Sequence, residues 1–172
     1  MAVPTAASGE SHTRWMKRIL ITGMSGVGKS TVAERLAELG HKVVDTDHGG
    51  YFVVDERGDY HWDVDRIRQL LATEDVDVLF LVGADDAQVQ FYPRFDDIIL
   101  LSAPRDVMVE RLASRTNNPF GKRPEELAKI LTDLEMYEPV IRRSATHEID
   151  ASKPLDRVVD EILSLVELRP PL

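Results

Sequence analysis

A lysine and a serine at the end of a glycine-rich run have the types and spacing to do chemistry: Gly23-Met24-Ser25-Gly26-Val27-Gly28-Lys29-Ser30. The run fills every fixed position of the pattern G-x-x-x-x-G-K-[ST]. Glycines there let the backbone curl with its N–H groups pointing inward. A helix starting at the end of the run adds unpaired N–H groups and the positive end of its dipole. The product is a cradle for phosphate. Lys29 is expected to reach β- and γ-phosphate oxygens as a cation, and the Ser30 hydroxyl to ligate a magnesium ion bridging them. Contacts to a bound polyphosphate are expected from Gly23, Ser25, Gly26, Val27, Gly28, Lys29, Ser30 and Thr31. The bland alternative is a glycine-rich turn that binds nothing; it has to explain why all the fixed positions and both flanking segments agree.

Those flanking segments are a short apolar strand over 18–22 and a helix over 31–39, whose stripe of Val32, Leu36 and Leu39 stops at Gly40. A second strand over 41–44 delivers Asp45-Thr46-Asp47 to the carboxyl edge of a sheet, where ligands of open α/β sheets bind. Residues 51–54 and 60–62 flank Asp55-Glu56-Arg57-Gly58-Asp59 as a small hairpin. Asp63 then reads as the N-cap of a helix carrying Val64, Ile67, Leu70 and Leu71. Continuous apolar runs at 78–82 and 98–102 have the look of strands covered on both faces. A helix over 105–115 follows, then a polar, turn-forming segment over 116–123 suited to a lid. The next helix opens at Pro124 and keeps its spacing through Leu127, Ile130, Leu131, Leu134 and Tyr137 until Pro139 interrupts. A fifth strand over 147–150 and a closing helix marked by Val158, Val159, Ile162 and Val166 complete the chain. Strands alternating with helices imply a doubly wound parallel sheet, since each parallel crossover needs a covering helix.

At 172 residues the chain has the length of one domain, expected over 15–172 behind a loose tail over 1–14. Its hydrophobic and charged fractions, 43% and 30%, are ordinary for a soluble globular protein. A formal charge of −9 disfavours non-specific binding to a nucleic-acid backbone, and no run suggests a membrane partner. With no cysteine there is no disulfide, thiolate nucleophile or thiolate zinc site, which is compatible with the cytoplasm.

In order of elements, residues 18–165 resemble the small P-loop kinases, the group containing adenylate, shikimate and gluconate kinases. The resemblance implies a three-layer, five-stranded sheet in the order 2-3-1-4-5 with a short lid. It also implies ATP and magnesium as cofactors, a small-molecule phosphoryl acceptor, and a monomer or homodimer. Asp45-Thr46-Asp47 is similar to the Asp-x-Asp after the second strand of shikimate-kinase-type enzymes. By that likeness Asp45 helps hold magnesium through water, and Asp47 meets the acceptor hydroxyl as a catalytic residue beside Lys29. Magnesium does prefer hard oxygen ligands, and a carboxylate in reach can accept the acceptor's proton. Glu110-Arg111-Leu112-Ala113-Ser114-Arg115 is similar to the Glu-Arg-x-x-x-Arg that enters the kinase lid, which gives Arg111 and Arg115 to adenine or phosphate and makes Arg115 catalytic. For Arg111 an ordinary surface ion pair is an equal alternative. Lys122, Arg123, Arg142 and Arg143 are further candidates to reach the phosphates. Ala151 and Ser152 resemble the segment lying against adenine, Ser152 being equally readable as a helix-start residue. On the acceptor side the expected contacts are Asp45, Asp47, Trp62, Gly83 and Arg142.

Two departures stand out. Val82-Gly83-Ala84-Asp85-Asp86 lacks both the Asp-Gly-Phe-Pro-Arg of adenylate kinase and the glycine triplet of shikimate kinase, and the aromatic stretch 51–62 replaces a helical nucleoside-monophosphate domain. The activity expected is therefore ATP-dependent phosphoryl transfer to a hydroxyl- or phosphate-bearing metabolite with no specific enzyme assigned. A regulatory P-loop ATPase or switch acting on a macromolecule is the alternative.

Overall fold

In β1 (Lys17–Thr22) the residues Ile19, Leu20 and Ile21 have no exposed surface at all, as a strand covered on both faces requires. The computed structural model describes residues 16–167, so the tail expected over 1–14 lies outside the described residues. Strand β1 feeds α1 (Lys29–Glu38), β2 (Lys42–Asp45), a hairpin of β3 (Phe52–Val54) and β4 (Tyr60–Trp62), and α2 (Val64–Leu71). After β5 (Val78–Val82) comes a 3₁₀ helix (Asp86–Arg94), then β6 (Asp97–Ser102), α3 (Arg105–Ser114), α4 (Pro124–Ser144), β7 (His147–Asp150) and α5 (Leu155–Glu167).

The main sheet runs β2-β5-β1-β6-β7, and every neighbouring pair is parallel. Counted among these five strands alone, this is the order 2-3-1-4-5. β1 therefore has a partner from later in the chain on each side, and its carboxyl end is the switch point at which such sheets open a crevice. Alternation along the strands divides the core. Ile19, Ile21, Phe80, Val82, Ile99 and Leu101 face α1 and α5, where Val32, Leu36, Val158 and Ile162 meet them. Leu20, Leu79, Leu81 and Ile98 face the other way, toward Ile67 and Leu71 of α2.

Three local readings need correction. Helix α1 starts at Lys29 rather than at 31, so Lys29 and Ser30 sit in its first turn. Helix α4 does not stop at Pro139 but continues to Ser144. A proline inside a helix removes one backbone hydrogen bond; here Arg142 reaches back to Glu138 at 2.7 Å, tying together the turns on either side. The 3₁₀ helix was not anticipated, and Asp85 caps it by accepting from the Ala87 N–H while the Gln88 side chain answers to the Asp85 N–H. Among the described residues no helix is long and apolar enough to cross a membrane.

Candidate active site

Gly28 holds φ at 106°, a left-handed conformation that glycine adopts at little cost, and this turns the loop into the N-terminus of α1. Lys29 folds back over the loop, its Nζ donating to the carbonyls of Gly23 at 2.7 Å and Met24 at 3.1 Å. Desolvation of that ammonium pushes its pKa down from 10.5 to about 8. Asp47 and Asp45 pull it partly back, and Arg115 adds a smaller push downward.

The Ser30 hydroxyl donates to Asp45 Oδ2 at 3.0 Å, and the Asp47 N–H donates to Asp45 Oδ1, also at 3.0 Å. The carboxylate at the end of β2 is thus fixed against the hydroxyl at the start of α1. This pair fits magnesium. Among the described residues no three His, Cys, Asp or Glu side chains are placed to hold a metal together. A cation here would complete its oxygen shell from phosphate and water, as magnesium characteristically does.

Two cavities open on either side of this centre. One, of about 380 Å3, is walled by Gly28, Thr31, Arg111, Arg115, Ala151 and Val158 among others. The other, of about 480 Å3, lies between the 3₁₀ helix and α4, with Asp86, Tyr92, Asp133 and Tyr137 in its wall. Both are lined by Ser25, Lys29 and Asp47, so the lysine and the aspartate stand where the two spaces meet.

Most of the anticipated nucleotide-side residues come together. Ser25, Gly26, Val27, Gly28, Ser30, Thr31, Arg115 and Ala151 all line the smaller cavity, while Gly23 lines the larger one. Arg111 lines the smaller cavity too, but as neither of the expected alternatives alone: its Nη1 donates to Val27 O at 2.8 Å and its Nη2 to Ala151 O at 2.7 Å. It straps the phosphate loop to the turn after β7. Arg115 donates to the Phe120 carbonyl, while its buried Nε has no partner. Desolvation lowers its pKa and Asp47 pulls it back up.

Four anticipated contacts are not in the site, and Asp45, which was expected on the acceptor side as well as at magnesium, keeps its contact with Ser30 but lines neither cavity. Trp62 is 1% exposed and packs in the core with Leu20, Ile67 and Leu71, because β4 turns it inward from the hairpin. Gly83 is buried and lines neither cavity; a Cβ there would fall 2.0 Å from the Thr46 hydroxyl, so its glycine serves the close approach of two strand ends. Arg142 is held by Glu148 at 2.9 Å and by Glu138. Ser152 lines neither cavity, its N–H and hydroxyl both being directed to Asp150 Oδ1. Nor do the remaining basic candidates line either cavity: Lys122 donates to Ala113 O at 2.7 Å, Arg143 to Pro139 O at 3.4 Å, and Arg123 is exposed.

Sequence reasoning missed Asn117, Asn118 and Lys153 in the smaller cavity and nearly all of the larger one. Tyr137, noted in the sequence only for keeping the helical spacing of α4, is half exposed on the cleft wall. For Asp85 and Asp86 one signal existed, their place just past the carboxyl end of a strand.

Residues 19–132 match a family described as AAA domain. The chain is 28% identical over 169 residues to shikimate kinase 2 of Yersinia enterocolitica, covering 86% of this chain and 94% of that one. Among solved structures, the shikimate kinase from Acinetobacter baumannii in complex with shikimate superposes with a TM-score of 0.66 at 20% identity, covering 90% of this chain and 94% of that one. A gluconokinase from Sinorhizobium meliloti does so with a TM-score of 0.56 at 21% identity, over 90% and 94%. The fold is that of the small P-loop kinases, with no single member picked out.

Proposed function

We propose that this chain, which belongs to the AAA domain family, transfers the γ-phosphoryl group of ATP to a hydroxyl of a small molecule. The observation that carries this is the meeting of two cavities at Lys29 and Asp47, one behind the phosphate loop and one beyond it. A simple nucleotide switch needs only the first. In phosphoryl transfer the two oxygens lie roughly in line with the moving phosphorus, so donor and acceptor have to approach from opposite sides of one point.

Nucleotide phosphates would enter the loop of Gly23 to Ser30, displacing the Gly23 and Met24 carbonyls from Lys29, whose ammonium would turn to the β- and γ-oxygens. Ser30 and Asp45 would hold magnesium, Asp45 through water, and the ion when bound would neutralise charge on the bridging phosphates. Asp47 would accept the proton of the acceptor hydroxyl as its oxygen bonds to the γ-phosphorus and the bond to the β-phosphate oxygen breaks, leaving ADP. Arg115, beside Asp47, would add positive charge to the equatorial oxygens. A general base contributes about a hundred- to ten-thousand-fold in such reactions, and positioning supplies most of the rest.

The likeness to solved kinases carries the fold at these identities, so the acceptor class has to come from this chain's own cleft. The test is magnesium-dependent formation of a phosphorylated small molecule, followed by mass spectrometry across a metabolite panel, for the wild type and Lys29→Ala. Product from the wild type alone is expected. Near-normal product from Lys29→Ala, or ATP hydrolysis stimulated only by a macromolecule, would overturn the reading.

A further inference from the structure

The proposal here rests on the reading just given, in which the larger cavity takes the acceptor. The similar proteins include a shikimate kinase and a gluconokinase, enzymes whose names point to hydroxy-acid acceptors, yet the wall of this cavity is acidic. Asp47, Asp85, Asp86 and Asp133 bring four carboxylates to it, against the ammonium groups of Lys29 and Lys129. Neither ammonium is placed to receive an anionic acceptor. Lys29 lies along the phosphate loop, and Lys129 donates to Asp133 at 2.8 Å.

Among the described residues no arginine lines this cavity. Guanidinium is the group that recognises carboxylate or phosphate in a fixed fork. The arginine the resemblance assigned to this side, Arg142, is instead turned to Glu138 and Glu148. What remains of the wall is uncharged, chiefly hydroxyl, amide and hydrocarbon. Tyr92 accepts from Gln88 Nε2 at 2.8 Å, and the exposed side chains of Val89, on the 3₁₀ helix, and of Tyr137 and Val140, on α4, line the same cavity. Asp86 is exposed at the first position of the 3₁₀ helix, and no described residue pairs with its carboxylate.

We propose that this cavity takes a non-anionic alcohol, with an amine-bearing alcohol preferred, and that it rejects hydroxy acids and phosphate esters by unpaired like charge. The amine pairs with Asp86, the hydrocarbon face of the acceptor lies on Val89, Tyr137 and Val140, and the hydroxyl reaches Asp47. Specificity of this kind comes as much from repelling the wrong ligand as from holding the right one.

The experiment uses the full chain with magnesium and ATP and four sets of probes: amino alcohols and amino sugars, neutral polyols and nucleosides, hydroxy acids including shikimate and gluconate, and sugar or nucleoside monophosphates. Products are identified by mass spectrometry and kcat/KM is compared. The expected result is turnover confined to the first two sets and strongest in the first. With the best amine-bearing acceptor, Asp86→Asn should raise the acceptor KM about two- to fivefold, the worth of one exposed ion pair, while the ATP KM stays constant. A hydroxy acid or monophosphate as best substrate would overturn this inference and leave the kinase reading intact. An acceptor KM unmoved by Asp86→Asn would overturn the pairing with Asp86. No product from any set would overturn the kinase reading itself, and with it the premise of this one.

Discussion

Nucleotide affinity should depend on pH through Lys29, and the size of the effect follows from its environment. Burial holds the free lysine near a pKa of about 8, so it carries its proton in about ten molecules of eleven at pH 7 and about one in eleven at pH 9. A polyphosphate in the loop pairs with the charged form and lifts the pKa of the bound state above this window. Only the charged lysine then binds well, and affinity should fall about tenfold between pH 7 and pH 9. The nucleotide adds little to the slope, since a phosphate monoester completes its second ionisation near a pKa of about 6. Titrating a fluorescent, non-hydrolysable ATP analogue in magnesium across that range measures the curve. Lys29→Arg, whose charge does not titrate there, serves as the reference and should give a weaker but flat response. Calorimetry at about pH 8 in two buffers of different ionisation enthalpy should register about half a proton taken up per nucleotide bound. A flat wild-type curve, or an equal slope in Lys29→Arg, would refute the argument that a desolvated Lys29 is the cation that meets the phosphates.

Lys29 also gives a stability prediction of definite sign. Between about pH 8 and the ordinary 10.5 the unfolded chain binds more protons at this side chain than the folded one, so folding stability should rise with pH there relative to Lys29→Met, by about 3 kcal/mol over the whole window; a denaturant series in which the difference falls or stays level would contradict it. Asp47→Asn should lower kcat about a hundredfold or more with the nucleotide Kd nearly unchanged, and a loss seen mainly in nucleotide binding would move Asp47 out of the base role. Trp62→Ala should cost about 3–5 kcal/mol in chemical denaturation, whereas Trp62→Phe should fold and keep the acceptor KM; a stable Trp62→Phe with a tenfold higher acceptor KM would return the indole to the site. Gly83→Ala sets a Cβ 2.0 Å from the Thr46 hydroxyl at a backbone φ of 157° and should destabilise by about 1–3 kcal/mol, part of it recovered in the double variant with Thr46→Ala. Strict additivity of the two would show that the contact is not the cause.

The phosphate loop and the sheet were legible because each leaves its physical demand in consecutive residues. Left-handed backbone at Gly26 and Gly28 requires glycine in place, and strands buried on both faces require unbroken apolar runs such as 78–82. The larger cavity leaves no such trace. It is assembled from the end of β1, the turn after β2, a 3₁₀ helix and the middle of α4, and no local period links them. Side chains that serve two purposes misled for the same reason. An indole beside a turn reads alike whether it stacks on a ligand or fills a core, and only the inward register of β4 decides for Trp62. An arginine reads alike whether it awaits a phosphate or is spent on a neighbour, and Glu138 and Glu148 decide for Arg142.

Arg111 makes the division of labour between the two cavities concrete. Its guanidinium ties the Val27 carbonyl in the phosphate loop to the Ala151 carbonyl after β7, so three segments distant in sequence form one wall of the smaller cavity. Among the described residues the larger cavity has no such strap. Its apolar side chains Val89, Tyr137 and Val140 remain exposed in the wall, on the 3₁₀ helix and α4. A preorganised donor site facing an uncovered acceptor site suits an enzyme in which nucleotide positioning comes from the protein alone and acceptor positioning comes in part from the acceptor itself. On that account truncating the hydrocarbon face of a good acceptor should lower kcat along with affinity, since the lost contacts are those that would hold the hydroxyl in place for transfer.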